Sequence, residues 1–176
     1  LLSQPDECDP KGYRDRAMLE IMYATGIKVS EVVGLDITDV SFELGFIRCS
    51  GRTIPIYPVA QEVLKRYITR SRNALVSNPE EKALFVNLMG ERISRQGLWK
   101  IIKHYTALAN IEKEITPHTL RHSFAVHLLE NGADLRSLQE ILGYADISST
   151  QVYADIIKSR MSDAYSKYHP RAAANI

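Results

Sequence analysis

The sequence predicts a mainly α-helical domain with one small three-stranded antiparallel β-sheet, an α+β fold. Three observations carry this. Apolar residues recur at helical spacing through most of the chain. Residues 39–59 switch instead to short β-prone runs broken by Gly-containing turns. Residues that start or stop helices stand at the ends of most helical runs.

Pro10 to Gly12 reads as a lead-in loop. Over residues 13–25, Met18, Leu19, Ile21 and Met22 share helical spacing, and Gly26 closes the run as a C-cap. A second, short helix is expected from an N-cap near Ser30. The β-prone runs hold Phe42, then Phe46 and Ile47, then Ile54 and Ile56, with turns at Leu44-Gly45 and Ser50-Gly51-Arg52. That is the pattern of a meander, and Pro55 makes its third strand an edge strand. Residues 58–75 read as helical, and Leu84-Phe85-Val86 as a buried apolar run ending in the Met89-Gly90 turn.

Ser94 opens a helix with a stripe of Leu98, Ile101, Ile102 and Tyr105. Thr116 and Pro117 open the next, since Thr caps well and Pro suits a first helical turn. Leu120, Phe124 and Leu128 form its buried stripe, and Gly132 ends it. Leu135, Leu138, Ile141 and Leu142 mark a further helix ended by Gly143. Ser148 and Gln151 have capping-box spacing for a last long helix. No internal repeat or low-complexity segment is present.

A chain of 176 residues with 45% apolar content suits one domain with a sizeable core. It lacks an initiating Met, as a piece of a longer protein would. The formal net charge is only +1, so position matters more than the total. Lys65, Arg66, Arg70 and Arg72 form one basic cluster; Arg92, Arg95, Lys100 and Lys103 form another. On composition alone these are solvated helix faces. Cys8 and Cys49 have no metal spacing and no disulfide framework, which suits a reducing cytosol. No apolar run reaches transmembrane length and no signal peptide is recognisable, so membrane partners are not expected.

The most informative stretch is residues 116–153, TPHTLRHSFAVHLLENGADLRSLQEILGYADISSTQVY. His118 and Arg121 lie three residues apart, one helical turn, and so share a face. Tyr153 follows 32 residues after Arg121. This run resembles, nearly residue for residue, the catalytic domain of the tyrosine recombinases, the Xer and phage integrase family. The likeness extends from RDRAML at Arg14 to SKYHPRA near the C-terminus.

The resemblance implies the tyrosine recombinase catalytic-domain fold over residues 1–176, with the family's N-terminal DNA-clamping domain outside this sequence. It implies that Tyr153 attacks a DNA phosphodiester, leaving a 3′-phosphotyrosyl linkage and a free 5′ hydroxyl. Arg121 would hold two phosphate oxygens in its planar fork. His118 would contact the phosphate and assist proton transfer. A second strand's hydroxyl then resolves the linkage, with no metal and no cofactor. The expected partners are double-stranded DNA and three further subunits, identical or not, with the C-terminal tail docking on a neighbour. The expected location is the cytoplasm, at the nucleoid. Arg52, Arg95, Lys100 and His122 are the expected DNA contacts.

Three positions depart from the family's pattern. Where a motif like TGLRVSEL carries the first catalytic arginine, this chain has TGIKVSEV and therefore Lys28; Glu31 is retained. Lysine keeps the charge and loses the bidentate fork. Where a turn like GKGNKER carries a catalytic lysine, this chain has the shorter CSGRTIPI, with Arg52 its only cation. Where LGHADISTTQ supplies a second histidine, LGYADISSTQ places Tyr144, whose phenol can still donate to a phosphate oxygen.

Other readings stand beside this one. With three altered positions, the protein could be a recombinase-fold DNA binder that cleaves weakly or not at all. His118 and His122 at i, i+4 could be read as a metal pair, but nothing supplies the HExxH glutamate or a third ligand. Residues 134–156 could pass for a helix-turn-helix reader, which leaves the PHTLRH run and the sheet unexplained.

Overall fold

The first helix starts earlier than its apolar stripe, and the reason is its cap. In this computed structural model, which describes residues 1–144 together with Tyr153, Lys158, Ser162 and residues 165–167, Asp9 Oδ1 accepts the Gly12 N–H at 2.6 Å. Pro10 takes the first helical turn, where its missing N–H costs nothing. Helix α1 therefore spans Pro10–Thr25, and the expected lead-in loop at Pro10 to Gly12 is its first turn. Ala17, Met18, Leu19, Ile21 and Met22 are all buried. A helix apolar on nearly every side is a central one, and α1 packs against α3 (Pro58–Arg66) and α6 (Pro117–Glu130).

Helix α2 spans Val29–Gly34, capped from Lys28 rather than Ser30. Lysine has no acceptor to offer the helix. Glu31 compensates by reaching back to accept the Lys28 N–H at 2.7 Å.

Strands β1 (Val40–Ser41), β2 (Phe46–Cys49) and β3 (Arg52–Pro55) form the expected antiparallel meander in the order β1-β2-β3. Ile47 pairs with both Val40 and Ile54, and Ile47 and Ile54 are buried on the core face. Pro55 sits on an edge strand, where its missing donor is tolerated. Cys49 pairs directly with Arg52, so the β2–β3 connection is only Ser50-Gly51. Their φ values of 50° and 74° match a type I′ hairpin turn.

Residues 58–75 are helical as expected, but not uniformly so. Helix α3 runs into a π-helical segment, Tyr67–Arg72, and then α4, Asn73–Leu75. The widened turn aims its side chains at the apolar run 83–86. The Tyr67 hydroxyl donates to Leu84 O at 3.1 Å, and Arg72 Nε and Nη2 donate to Ala83 O at 2.9 and 2.7 Å. Tyr67 also stacks on Phe85.

Helix α5 (Arg95–Leu108) opens at Ser94, whose Oγ accepts the Gly97 N–H at 3.0 Å. Helix α7 (Leu135–Leu142) ends at Gly143 in the left-handed region, φ 68°. Two apolar clusters result. The larger one joins α1, the sheet, α3 and α5. The smaller holds Phe124, Ala125 and Leu129 of α6, Leu138 and Leu142 of α7, and Tyr153. The expected capping box at Ser148 and Gln151, and most of the C-terminal tail, lie outside the described residues. Among the described residues, no helix is long and apolar enough to cross a membrane.

Candidate functional site

The start of α6 is fixed twice over. Thr116 Oγ1 accepts the Thr119 N–H at 3.2 Å, and Thr119 Oγ1 accepts the Thr116 N–H at 3.1 Å. This capping leaves His118 exposed in the first turn and points Arg121, one turn on, into the protein.

Arg121 is only 6% exposed, yet it has no carboxylate partner among the described residues. Nη1 donates to Gly26 O, Nη2 to Leu142 O at 2.9 Å, and Nε to the Tyr144 hydroxyl at 3.4 Å. The Tyr144 ring also lies 4.8 Å from the guanidinium carbon. These contacts use three of the five guanidinium donors. They orient the fork and leave its charge uncompensated.

Gly26 makes this possible. It holds φ 61° at the C-cap of α1, and a Cβ there would come within 2.4 Å of Phe124 and 2.9 Å of Leu142. Without a side chain, the end of α1 approaches α6 and α7 closely enough for its carbonyl to reach Arg121. The same loop carries Lys28 to the opposite lip.

Lys28, Arg95, His118 and Arg121 line one depression of about 220 Å³ that has no acidic side chain in its wall among the described residues. Three cations and a histidine around such a hollow suit an anion. Lys28 also borders a second depression of about 680 Å³, shared with Arg52, Tyr144 and Arg136. Lys28 thus stands between the two.

Tyr153 sits in the smaller apolar cluster, with Tyr144 packed against it, and is 4% exposed. Its ring stacks on His122, with centroids 5.3 Å apart. Burial pushes its phenol up to about 12, the charge and hydrogen bond of Tyr144 push the same way, and Arg121 pulls back. In this arrangement the phenol is protonated at neutral pH and shielded from solvent.

Arg52, expected from the sequence as a DNA contact, is largely engaged within the protein. Its side chain is 16% exposed and ion-paired to Glu31. Nη1 donates to Ile141 O at 2.6 Å. Lys100 is exposed on α5 but not part of the wall that holds Arg95; five residues further along a helix is about 140° around it.

The two basic clusters dissolve in the same way. Arg72 is buried on main-chain carbonyls, Arg66 pairs with Glu7, and Arg92 binds Asp36 and the carbonyls of Val33 and Leu35. Lys65, Arg70, Lys100 and Lys103 remain on exposed faces. Sequence reasoning grouped five residues: Lys28, His118 and Arg121 line one hollow and Tyr144 contacts Arg121, whereas Tyr153, packed beside His122 and Tyr144, lines neither hollow. It missed the carbonyls of Gly26, Ile141 and Leu142, because a main-chain acceptor leaves no signature in residue type.

Comparison with known proteins places this geometry. A sequence profile of the phage integrase family matches residues 1–160. Tyrosine recombinase XerD of Halalkalibacterium halodurans is 50% identical over 177 residues, covering 98% of this chain and 59% of that protein. The structure of XerA recombinase superposes with a TM-score of 0.79 at 30% identity, over 90% of this chain and 59% of the other. XerH site-specific recombinase, solved bound to palindromic difH substrate as a post-cleavage complex, gives a TM-score of 0.79 at 26% identity, over 94% of this chain and 48% of the other. The chain thus spans about three fifths of the length of its XerD relative. The fold expected from residues 116–153 is the fold observed.

Proposed function

The chain belongs to the phage integrase family, and from that premise we propose that it is the DNA-cleaving domain of a site-specific recombinase. One observation carries the reading: among the described residues Arg121 is buried without a carboxylate partner and shares an acid-free hollow with Lys28, Arg95 and His118, and Tyr153 stacks on His122, the next residue of the same helix.

The hollow receives the scissile phosphate. Arg121 offers its remaining N–H donors to the non-bridging oxygens, and Lys28 adds a point charge from the facing lip. His118, exposed at the α6 N-terminus, hydrogen-bonds the same phosphate, and the helix dipole favours negative charge there. Tyr153 Oη attacks phosphorus. The P–Oη bond forms as the P–O5′ bond breaks; the phenolic proton leaves through a nearby acceptor and the 5′ oxygen is protonated. Before attack, Tyr153 must leave its buried stack on His122 and lose the proton that burial holds on it. Stabilising charge on the transferring phosphoryl is the larger part of such catalysis. A 5′ hydroxyl from a second strand then reverses the step, without metal or cofactor.

Arg95, Lys100 and His122 supply phosphate contacts, and the C-terminal tail joins four subunits on paired duplex sites in the cytoplasm. The XerH relative bound to difH supports a duplex DNA partner. Covalent trapping tests the reading. The full-length protein is incubated with nicked suicide duplexes from its own genome. A protease-sensitive protein–DNA adduct that disappears in Tyr153→Phe supports it. DNA binding with no adduct, in the native protein and in Lys28→Arg alike, would sink it in favour of a binding-only role.

A further inference from the structure

Two arginines grip adjacent carbonyls at one helix end. The last carbonyls of a helix lack intrahelical donors, and cations are favoured there. At the end of α7, Arg121 takes Leu142 O from one wall and Arg52 takes Ile141 O from the other. Gly143 and Tyr144 follow at once. The Arg52 guanidinium lies against Gly143, where a Cβ would come within 2.6 Å of its Cζ, Nε and Nη1.

Arg52 reaches in the other direction too. Its Nη2 pairs with Glu31 Oε1, and Glu31 Oε2 accepts the Lys28 N–H at 2.7 Å. Burial would raise the Glu31 carboxyl, but the Lys28 N–H, the Arg52 charge and hydrogen bonds from Ser50 and Arg52 outweigh it and leave it below its ordinary value. One guanidinium and one carboxylate therefore connect the start of α2 to the turn that carries Tyr144. The Ser50-Gly51 turn is what puts Arg52 there: a two-residue hairpin ends the strand beside Glu31.

We propose that Arg52 is a positioning residue, which holds the main chain at Lys28 and at Tyr144 in register so that both side chains face one bound phosphate. Its role rests on the recombinase reading, but the linkage itself does not. A direct phosphate contact needs a charge that no carboxylate cancels: among the described residues no acid pairs with Arg121, and none lines the hollow it shares with Lys28 and Arg95. Arg52 is compensated by Glu31 and engaged on a carbonyl. The linkage needs a fork, which lysine lacks.

Full-length protein labelled with 13Cζ-tyrosine tests this, with the Tyr144 signal assigned by Tyr144→Phe. In Arg52→Met, the Tyr144 signal is expected to move, and adduct formation on suicide duplexes to fall at least about 10-fold, a change readily measured as a rate. The salt dependence of DNA binding is expected to stay the same. Arg52→Lys keeps the charge and is expected to move Tyr144 as well, recovering only part of the rate. An unmoved Tyr144 signal in both variants overturns the proposal. So does a salt slope reduced by about one, the mark of a lost phosphate contact. If Arg52→Met does not fold, Arg52→Lys decides by the same readouts. If the native protein forms no adduct at all, the recombinase reading fails, while the Tyr144 signal still judges the linkage.

Discussion

Arg121 and Arg52 hold neighbouring carbonyls of α7, yet the two are prepared for different work. Among the described residues, Arg121 meets only neutral acceptors, two carbonyls and a phenol. These fix its direction and leave a whole positive charge. Arg52 is matched to Glu31, and its charge is cancelled where it stands. An arginine can be equally ordered by neutral or by acidic partners, but only the first kind still attracts a phosphate. Burial alone does not separate the two roles; the charge of the partners does.

The largest effect is expected at the proposed nucleophile: Tyr153→Phe should lower covalent adduct by about 10³-fold or more, as removal of a nucleophile does elsewhere. A residual adduct above that level would move the nucleophile away from Tyr153. Next comes Arg121→Met. It is expected to cost about 10²–10³ in single-turnover cleavage, the scale of a lost transition-state donor. The same variant leaves the Gly26 and Leu142 carbonyls unpaired, and urea unfolding should report a further loss of about 1–3 kcal/mol. If cleavage survives, Arg121 does not clamp the phosphate.

Lys28→Arg tests the opposite lip. A restored fork should raise cleavage about 10-fold, since an arginine pairs with two phosphate oxygens where lysine pairs with one. No gain would mean that Lys28 lies too far from the phosphate to clamp it.

The pH dependence of stability is a smaller, independent check. Burial, seconded by Tyr144, pushes Tyr153 up to about 12, and burial likewise pushes Tyr67 up to about 12. A free tyrosine ionises near about 10. Both groups therefore contribute stability that is complete below about pH 10, where folded and unfolded chains are equally protonated. Above it, the unfolded chain ionises first, and the contribution is lost as the pH rises through the folded value. Denaturant midpoints should fall between about pH 10 and 12, and Tyr153→Phe should fall less steeply. Equal slopes would mean that Tyr153 is not buried in solution. The smallest expected effect is Thr116→Ala, about 1 kcal/mol of stability from the lost cap of α6.

Much of this was legible in the sequence. Helix α6 announces itself: a capping threonine, a proline in the first turn and an i, i+4, i+8 apolar stripe determine where it starts and which way Arg121 points. Gly26 and Gly143 marked helix ends that do lie there, because few other residues tolerate a positive φ. The shortness of the CSGRTIPI turn was equally plain, and the structure gives it a physical form, a two-residue hairpin. The early start of α1 could also have been found, since Asp9 and Pro10 form a cap-and-proline pair like Thr116 and Pro117.

Tertiary structure alone decided the partners. Arg66, Arg72 and Arg92 look like surface charge in the sequence, and only folding brings Glu7, Ala83 and Asp36 to them. Nor does the sequence show that Arg52 meets Glu31 and Ile141, 21 and 89 residues away. Local pattern determines where an element begins and which face it buries, because those depend on neighbours along the chain. Whether a charge is cancelled depends on groups that arrive from elsewhere, and their positions exist only once the chain has folded.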